Sequence, residues 1–255
     1  TTKDLSFVSL LIILGVALYA NTFFNSFVYD DAATIQENLF IRDWRNLPRI
    51  FSGQYYQFFE EYSFRPLVTF TYFWDYYWWK NYPWCYHLTS LLLHLLTAVT
   101  VYLLAAKLFK RREGGLLTAL IFLAHPVQTE AVAGISFRED ILCALFFFLA
   151  FIFFLKSKRK TGEEREKTYN LPSTRPPGYP AIYSVLSFLC FSLALLSKEM
   201  AVTLPLVIVA YEFLARKTRI KGIFPTKIII YFAFSLVFLY LRFRVLYQKG
   251  SLPAT

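Results

Sequence analysis

Apolar residues come along this chain in long blocks separated by short basic clusters. A helix needs about 20 mostly apolar residues to cross a bilayer. On that measure spans are predicted at 5–24, 86–106, 115–135, 140–155, 181–197, 201–215 and 226–246. His125, Pro126 and Glu130 interrupt the third, whose apolar part is Leu116 to Ala124, so a break is expected at Pro126 near the outer face. Leu5 to Ala20 has the look of a signal peptide. It lacks a small-residue cleavage site before Asn21 and further spans follow, so it reads as a retained anchor. The sequence opens on Thr1 rather than Met, so a processed or trimmed start is expected.

Residues 25–84 are too polar to cross and too aromatic for a free linker, with runs such as Tyr72-Phe-Trp-Asp-Tyr-Tyr-Trp-Trp. This composition suits helices lying in the membrane interface. Leu67 to Trp79 is rejected as a span because it is short and contains Asp75. Residues 156–180 read as a cytosolic linker, charged first and then rich in proline. The expected architecture is a single all-α membrane domain over 1–255, with about seven transmembrane helices and interfacial helices in a long first outer loop.

Charge orients this arrangement. With the N-terminus inside, the inner segments hold 17 of the 27 basic residues, and 11 of the 17 acids fall outside. Basic bias on the cytosolic side is the diagnostic quantity, so the N-terminus is expected in the cytosol and the C-terminus outside. The net charge of +10 follows from this distribution, and no basic helix or base-stacking motif points to nucleic acid. A 56% hydrophobic, 20% aromatic composition is too apolar for one soluble core. Cys85, Cys143 and Cys190 are scattered and form no disulfide framework.

The expected outer face carries the candidate chemistry. Phe27-Val-Tyr-Asp-Asp-Ala places Asp30 and Asp31 just past the first span. A partly desolvated carboxylate there can serve as a general base on a hydroxyl; the competing reading is a helix N-cap. His125 to Asp140 holds Glu130, Arg138, Glu139 and Asp140. Ionisable groups at that depth are paired or functional, and pairing of Arg138 with Glu139 or Asp140 is the structural alternative. Lys198 and Glu199 occupy an outer turn, Arg242-Phe-Arg244 the outer end of the last span, and Arg65-Pro66 adds another cation. Carboxylates and cations on one face beside lipid suit a lipid-linked phosphate with a hydroxyl acceptor above it. His87 and His94 stand about 10 Å apart along one helix, too far to share an ion, and His125 is alone. No cluster with metal-ligand spacing occurs.

In order, the chain carries Phe27-Val-Tyr-Asp-Asp, Phe64-Arg-Pro-Leu, Tyr86-His-Leu, Leu93-His-Leu-Leu, Ala124-His-Pro-Val-Gln-Thr-Glu-Ala-Val-Ala-Gly, Ser136-Phe-Arg-Glu-Asp-Ile-Leu and Ser197-Lys-Glu. This series resembles the membrane half of the transmembrane and tetratricopeptide-repeat-containing O-mannosyltransferases, within the GT-C class of polyprenyl-phosphate-sugar glycosyltransferases. The resemblance implies the class's first seven-span module and an inverting transfer of a mannose-like sugar from a dolichyl- or polyprenyl-phosphate carrier. The acceptor would be a hydroxyl, a Ser or Thr of an acceptor protein, on the outer or lumenal face. Asp30 or Asp31 would be the base, with Asp30 slightly favoured. Glu130, a third catalytic candidate, and the Arg138-Glu139-Asp140 group, expected to bind substrate, match the family's second outer acidic motif. Lys198 and Arg244 are the candidates to hold the lipid phosphate, on charge and side. Arg65, His125 and Glu199 complete the expected substrate-binding set. No metal is required, and a divalent ion stays open as a cofactor. The family's later spans and repeats lie outside this sequence, so a fragment, one subunit of a split enzyme or a member of a larger membrane assembly is expected. The alternative is a non-catalytic scaffold or accessory subunit retaining the fold. The sequence has no Asn-x-Ser/Thr sequon, which favours a bacterial cytoplasmic membrane over the endoplasmic reticulum.

Overall fold

The computed structural model describes residues 2–58, 63–158, 180–216 and 226–247. Glu60, Glu61, most of the 156–180 linker and the basic segment 217–225 lie outside the described residues. The described residues form helices and turns, with no strand among them. In chain order the α-helices are α1 (Thr2–Tyr19), α2 (Gly53–Phe58), α3 (Pro66–Trp79), α4 (Pro83–Phe109), α5 (Arg112–Ala124), α6 (Gln128–Ala133), α7 (Arg138–Ser157), α8 (Pro180–Ser197), α9 (Leu204–Arg216) and α10 (Thr226–Tyr247).

Among the described residues, four segments are long and apolar enough to cross a membrane: Thr2–Phe24, Pro83–Phe109, Ile135–Ser157 and Ile228–Tyr247. The chain is an all-α integral membrane protein. The other three expected spans correspond to α5, α8 and α9. With 13 residues each, α5 and α9 reach only about 20 Å at helical rise, less than a hydrocarbon core of about 30 Å. The expected break in the third span lies where Pro126 stands: α5 stops at Ala124 and α6 starts at Gln128.

The long helix α4 is the hub, with α1, α5 and α7 packed against it, while α7 runs along α8. One core joins α1, α4 and α5 through Leu11, Leu91, Leu95, Ala119 and Leu123. Small residues let helices approach closely where lipid supplies no squeeze. A Cβ on Gly115 would stand 2.8 Å from the Ala106 nitrogen and the Tyr102 carbonyl, so glycine sets the α4–α5 contact. A second core joins α7, α8 and α10 through Phe151, Phe154, Phe191 and Tyr231. Inside it, the Tyr231 hydroxyl donates to Ser187 Oγ at 2.6 Å, which donates to the Ala150 carbonyl at 2.6 Å. Where α1 starts and α4 ends, the Tyr102 hydroxyl donates to Asp4 Oδ1 at 2.7 Å, and Arg112 pairs with the same oxygen at 3.4 Å. Lys158 and Glu212 pair between α7 and α9. Leu5, Ile13 and Val16 on α1, and Leu236, Val237 and Leu241 on α10, face outward, as lipid-facing positions do.

The long loop between α1 and α4, the expected first outer loop, is folded. Asn38 Oδ1 accepts the Phe40 N–H at 3.0 Å and Asp43 Oδ1 the Arg45 N–H at 3.0 Å, capping two 3-10 turns, Leu39–Arg42 and Trp44–Phe51. A hydrogen bond from the Arg45 guanidinium holds the exposed Asp43 carboxyl below its ordinary range. Pro66 starts α3 and Pro83 starts α4, the position where a missing N–H costs nothing. A third core, with Ile35, Ile41, Ile50, Val68, Phe73, Tyr86, Ile135 and Leu142, packs this loop onto α4 and the start of α7. Trp74, Tyr77, Trp78, Tyr82 and Trp84 stay exposed.

Candidate functional site

The two adjacent carboxylates of the first outer loop diverge. Asp31 is fully buried. Its Oδ1 accepts the Ser136 N–H at 2.7 Å and its Oδ2 the Val28 N–H at 3.2 Å. It therefore ties the first outer loop to the second across 105 residues of sequence. The backbone kinks immediately before the pair: Tyr29 has φ 49°, a conformation rare for a bulky residue. A turn follows in which the Asp30 carbonyl accepts the Thr34 N–H at 2.8 Å and hydroxyl at 2.6 Å. Asp30 itself is exposed and lines a cavity of about 290 Å³, together with Thr34, Asn38, Tyr55, Arg65 and Tyr72. Ser136 and Glu139 from the second outer loop and α7 line the same cavity.

Beneath this cavity lies a buried polar network. Arg138 is fully buried and pairs with Asp75 at 2.7 Å. It also donates to Thr71 Oγ1 at 3.0 Å, to Ser90 Oγ at 3.2 Å and to the Tyr86 carbonyl at 3.0 Å. Its guanidinium lies 5.1 Å from the Tyr72 ring centre, and the Thr89 hydroxyl donates to Asp75 Oδ1 at 2.9 Å. Arg138 is thus paired with neither of the neighbours that the sequence suggests. It locks α3, α4 and α7 under the site.

Glu139 and Asp140 take other cations. Glu139 is buried, with Arg65 at 3.0 Å and Lys198 at 3.7 Å from Oε1. Lys198 lies 2.6 Å from Asp140 Oδ1. Glu199 pairs with Arg242 at 3.3 Å. Arg65, Glu139, Asp140, Lys198, Glu199 and Arg242 therefore form neighbouring ion pairs joining the first loop, α7, the α8–α9 turn and α10. Arg244 is exposed, and it is Arg242 of the Arg242-Phe-Arg244 motif that turns toward the protein. His125 and Glu130 are exposed on the second outer loop, where His125 Nδ1 accepts the Val127 N–H at 3.2 Å. Neither lines the cavity. Among the described residues no group of three or more His, Cys, Asp or Glu side chains could hold a metal ion. His87 and His94 are buried, His94 lying between the Tyr19 and Phe122 rings.

Comparison with known proteins agrees with the ordered motifs. Human protein O-mannosyl-transferase TMTC2 is 32% identical over 227 residues, which cover 84% of this chain and 25% of that protein. Mouse TMTC3 is 32% identical over 162 residues, covering 61% of this chain and 18% of that protein. Human TMTC1 is 30% identical over 208 residues, covering 79% and 23%. The chain belongs to the TMTC protein O-mannosyl-transferase family. It spans a quarter or less of the length of these TMTC relatives. No family model and no solved structure matches it.

In this TMTC chain the sequence reading did not single out Thr34, Asn38, Tyr55, Thr69, Tyr72 and Ser136, all of which line the cavity. Tyr55 lies on α2, Thr69 and Tyr72 on α3, and the others in turns; single uncharged residues carry no periodic signal, so nothing in the string marks them as cavity residues. Asp75 is different. An acid inside an aromatic helix demands a buried partner, and that demand points toward a cation such as Arg138.

Proposed function

We propose that this chain is the membrane catalytic module of a glycosyltransferase that moves a mannose-like sugar from a dolichyl- or polyprenyl-phosphate carrier to a protein Ser or Thr hydroxyl. The carrying observation is the accessible carboxylate of Asp30 on a polar cavity shared with Arg65 and Glu139. In this reading Asp30 accepts the acceptor's hydroxyl proton as that oxygen attacks the anomeric carbon from the face opposite the phosphate. The bond to the phosphate oxygen breaks and the carrier leaves as a monophosphate. The anomeric configuration inverts. Asp31, spent on two backbone N–H groups, positions the loop instead of moving a proton.

Lys198 is the candidate for steadying the leaving phosphate, releasing Asp140 as it does so, with Arg244 approaching from the exposed side. Glu199 with Arg242 would hold the turn carrying Lys198. His125 and Glu130, exposed on the second loop, would meet the acceptor protein. Arg138 supports the site from below.

The face holding Asp30 is assigned to the outside or lumen, with the N-terminus in the cytosol. The TMTC relatives compared are mouse and human proteins, which favours the endoplasmic reticulum membrane over a bacterial one. A second reading is a non-catalytic membrane subunit. The internal pairing of Arg138, Glu139 and Lys198 favours that alternative.

The test is transfer of labelled mannose from a polyprenyl-phosphate donor to a Ser/Thr peptide, using the chain in lipid nanodiscs with and without co-purifying membrane partners. Asp30→Asn should lower transfer by about 10²-fold or more and leave the melting temperature unchanged. Asp31→Asn should lower the melting temperature, because its buried carboxylate holds two loops together. Wild-type transfer by Asp30→Asn would remove Asp30 as the base. No transfer by folded wild type under either condition would hand the function to the subunit reading.

A further inference from the structure

Buried polar atoms without partners are rare in native proteins, because each forfeits its hydrogen bonds to water. Nine such side-chain atoms occur among the described residues. Three of them, Arg65 Nε, Ser136 Oγ and Glu139 Oε2, belong to residues lining the one cavity that also contains Asp30. They come from different places in the chain: the start of α3, the second outer loop and the first turn of α7. Each is screened from solvent, so small side-chain rotations would present it to a ligand.

Their chemistry is selective. Arg65 Nε only donates, the Glu139 carboxylate oxygen only accepts, and the Ser136 hydroxyl does both. A pair of neighbouring alcohol groups matches this set, one giving its proton to the carboxylate and the other receiving from the guanidinium. Phosphate fits poorly. Asp30 and Glu139 set two carboxylates against the single guanidinium of Arg65 on the cavity wall, and Arg65 is already paired to Glu139 at 3.0 Å. The volume of about 290 Å³ equals roughly ten waters at ~30 Å³ each. That is room for one sugar ring and too little for an isoprenoid chain. Tyr55 and Tyr72 give the same cavity aromatic walls for the apolar face of a ring.

We infer that Arg65, Ser136 and Glu139 form a neutral-sugar subsite that grips vicinal hydroxyls of the transferred hexose, with the carrier phosphate held outside it. This deepens the transferase reading and rests on it for the identity of the ligand; Ser136 is the residue it adds to the site. The inference makes Ser136 and Glu139 determinants of which sugar is accepted, separate from Asp30, which acts on the acceptor.

The experiment uses the full chain in nanodiscs. Saturation-transfer NMR with methyl α-mannoside reads sugar binding directly, and donor KM with mannosyl and 2-deoxymannosyl polyprenyl phosphates reads recognition during transfer. Ser136→Ala breaks no side-chain hydrogen bond in the fold, so it reports on the ligand alone; Glu139→Gln is the second variant. Each should weaken the mannoside signal and raise donor KM about tenfold, and the penalty for the deoxy donor should shrink because the lost hydroxyl no longer has its partner. If wild type transfers sugar and Asp30→Asn does not, while Ser136→Ala and Glu139→Gln keep donor KM and the deoxy penalty within twofold, the subsite is wrong and the transferase reading stands. If wild type transfers nothing yet binds mannoside in a Ser136-dependent way, the subsite stands and the transferase reading falls. Absence of any mannoside signal in folded wild type overturns the subsite.

Discussion

At the scale of single residues, the site separates charges that the sequence leaves side by side. Asp30 and Asp31 share a dipeptide, yet one opens on a cavity and the other is sealed beneath a loop. The string offered only a slight preference between them, because the deciding partner, the Ser136 amide, lies 105 residues away. Arg138 teaches the same lesson. Sequence proximity favours Glu139 or Asp140, whereas its observed partner is Asp75 on α3. Removing one member of a buried pair strands the other charge and costs about 3–5 kcal/mol. Arg138→Met should therefore lower the thermal stability of the purified chain sharply. Arg138→Lys should rescue little of it, since an ammonium cannot reach Thr71, Ser90 and Tyr86 in the guanidinium's fork. The double variant Asp75→Asn/Arg138→Met should melt above Arg138→Met alone. Equal melting of the single variant and wild type would show that the network contributes nothing.

At the scale of elements, what could be read from the string was local: apolar blocks and the stop ahead of Pro126. The positions of α1, α4, α7 and α10 therefore follow from composition alone. The folding of the first outer loop was legible only as helices between polar groups. Its docking through Ile35, Ile41 and Ile50 onto α4 and α7 is a tertiary fact with no periodic signature. Helix spacing is set by similarly small cues. Gly115 brings α5 so close to α4 that a Cβ there would stand 2.8 Å from the Ala106 nitrogen and the Tyr102 carbonyl. A side chain there meets backbone that cannot swing aside, so Gly115→Val should destabilise the chain by about 1–3 kcal/mol. Unfolding monitored in detergent checks this, and an unchanged midpoint would mean that α5 can slide without loss.

At the scale of the whole molecule, the orientation argued from basic residues makes a direct prediction. Cys85, Cys143 and Cys190 are all buried, so a single exposed cysteine can report sidedness. His125→Cys should react with an impermeant maleimide from the lumenal or outer side, and Lys110→Cys only from the cytosolic side. The reverse pattern would invert the chain and move Asp30 to the cytosol. The hydrogen bond from the Ser136 amide to Asp31 has a consequence for how such a chain is made. Ribosomes add about 5–20 residues per second, so the 105 residues between these partners take roughly 5–20 s to synthesise at that rate. Throughout that interval Asp31 has only its local partner, the Val28 N–H, and lacks the Ser136 amide. The cavity is therefore a late product of vectorial insertion, and a nascent chain halted before the second loop emerges carries Asp30 and Asp31 with no cavity wall from Ser136 and Glu139 around them.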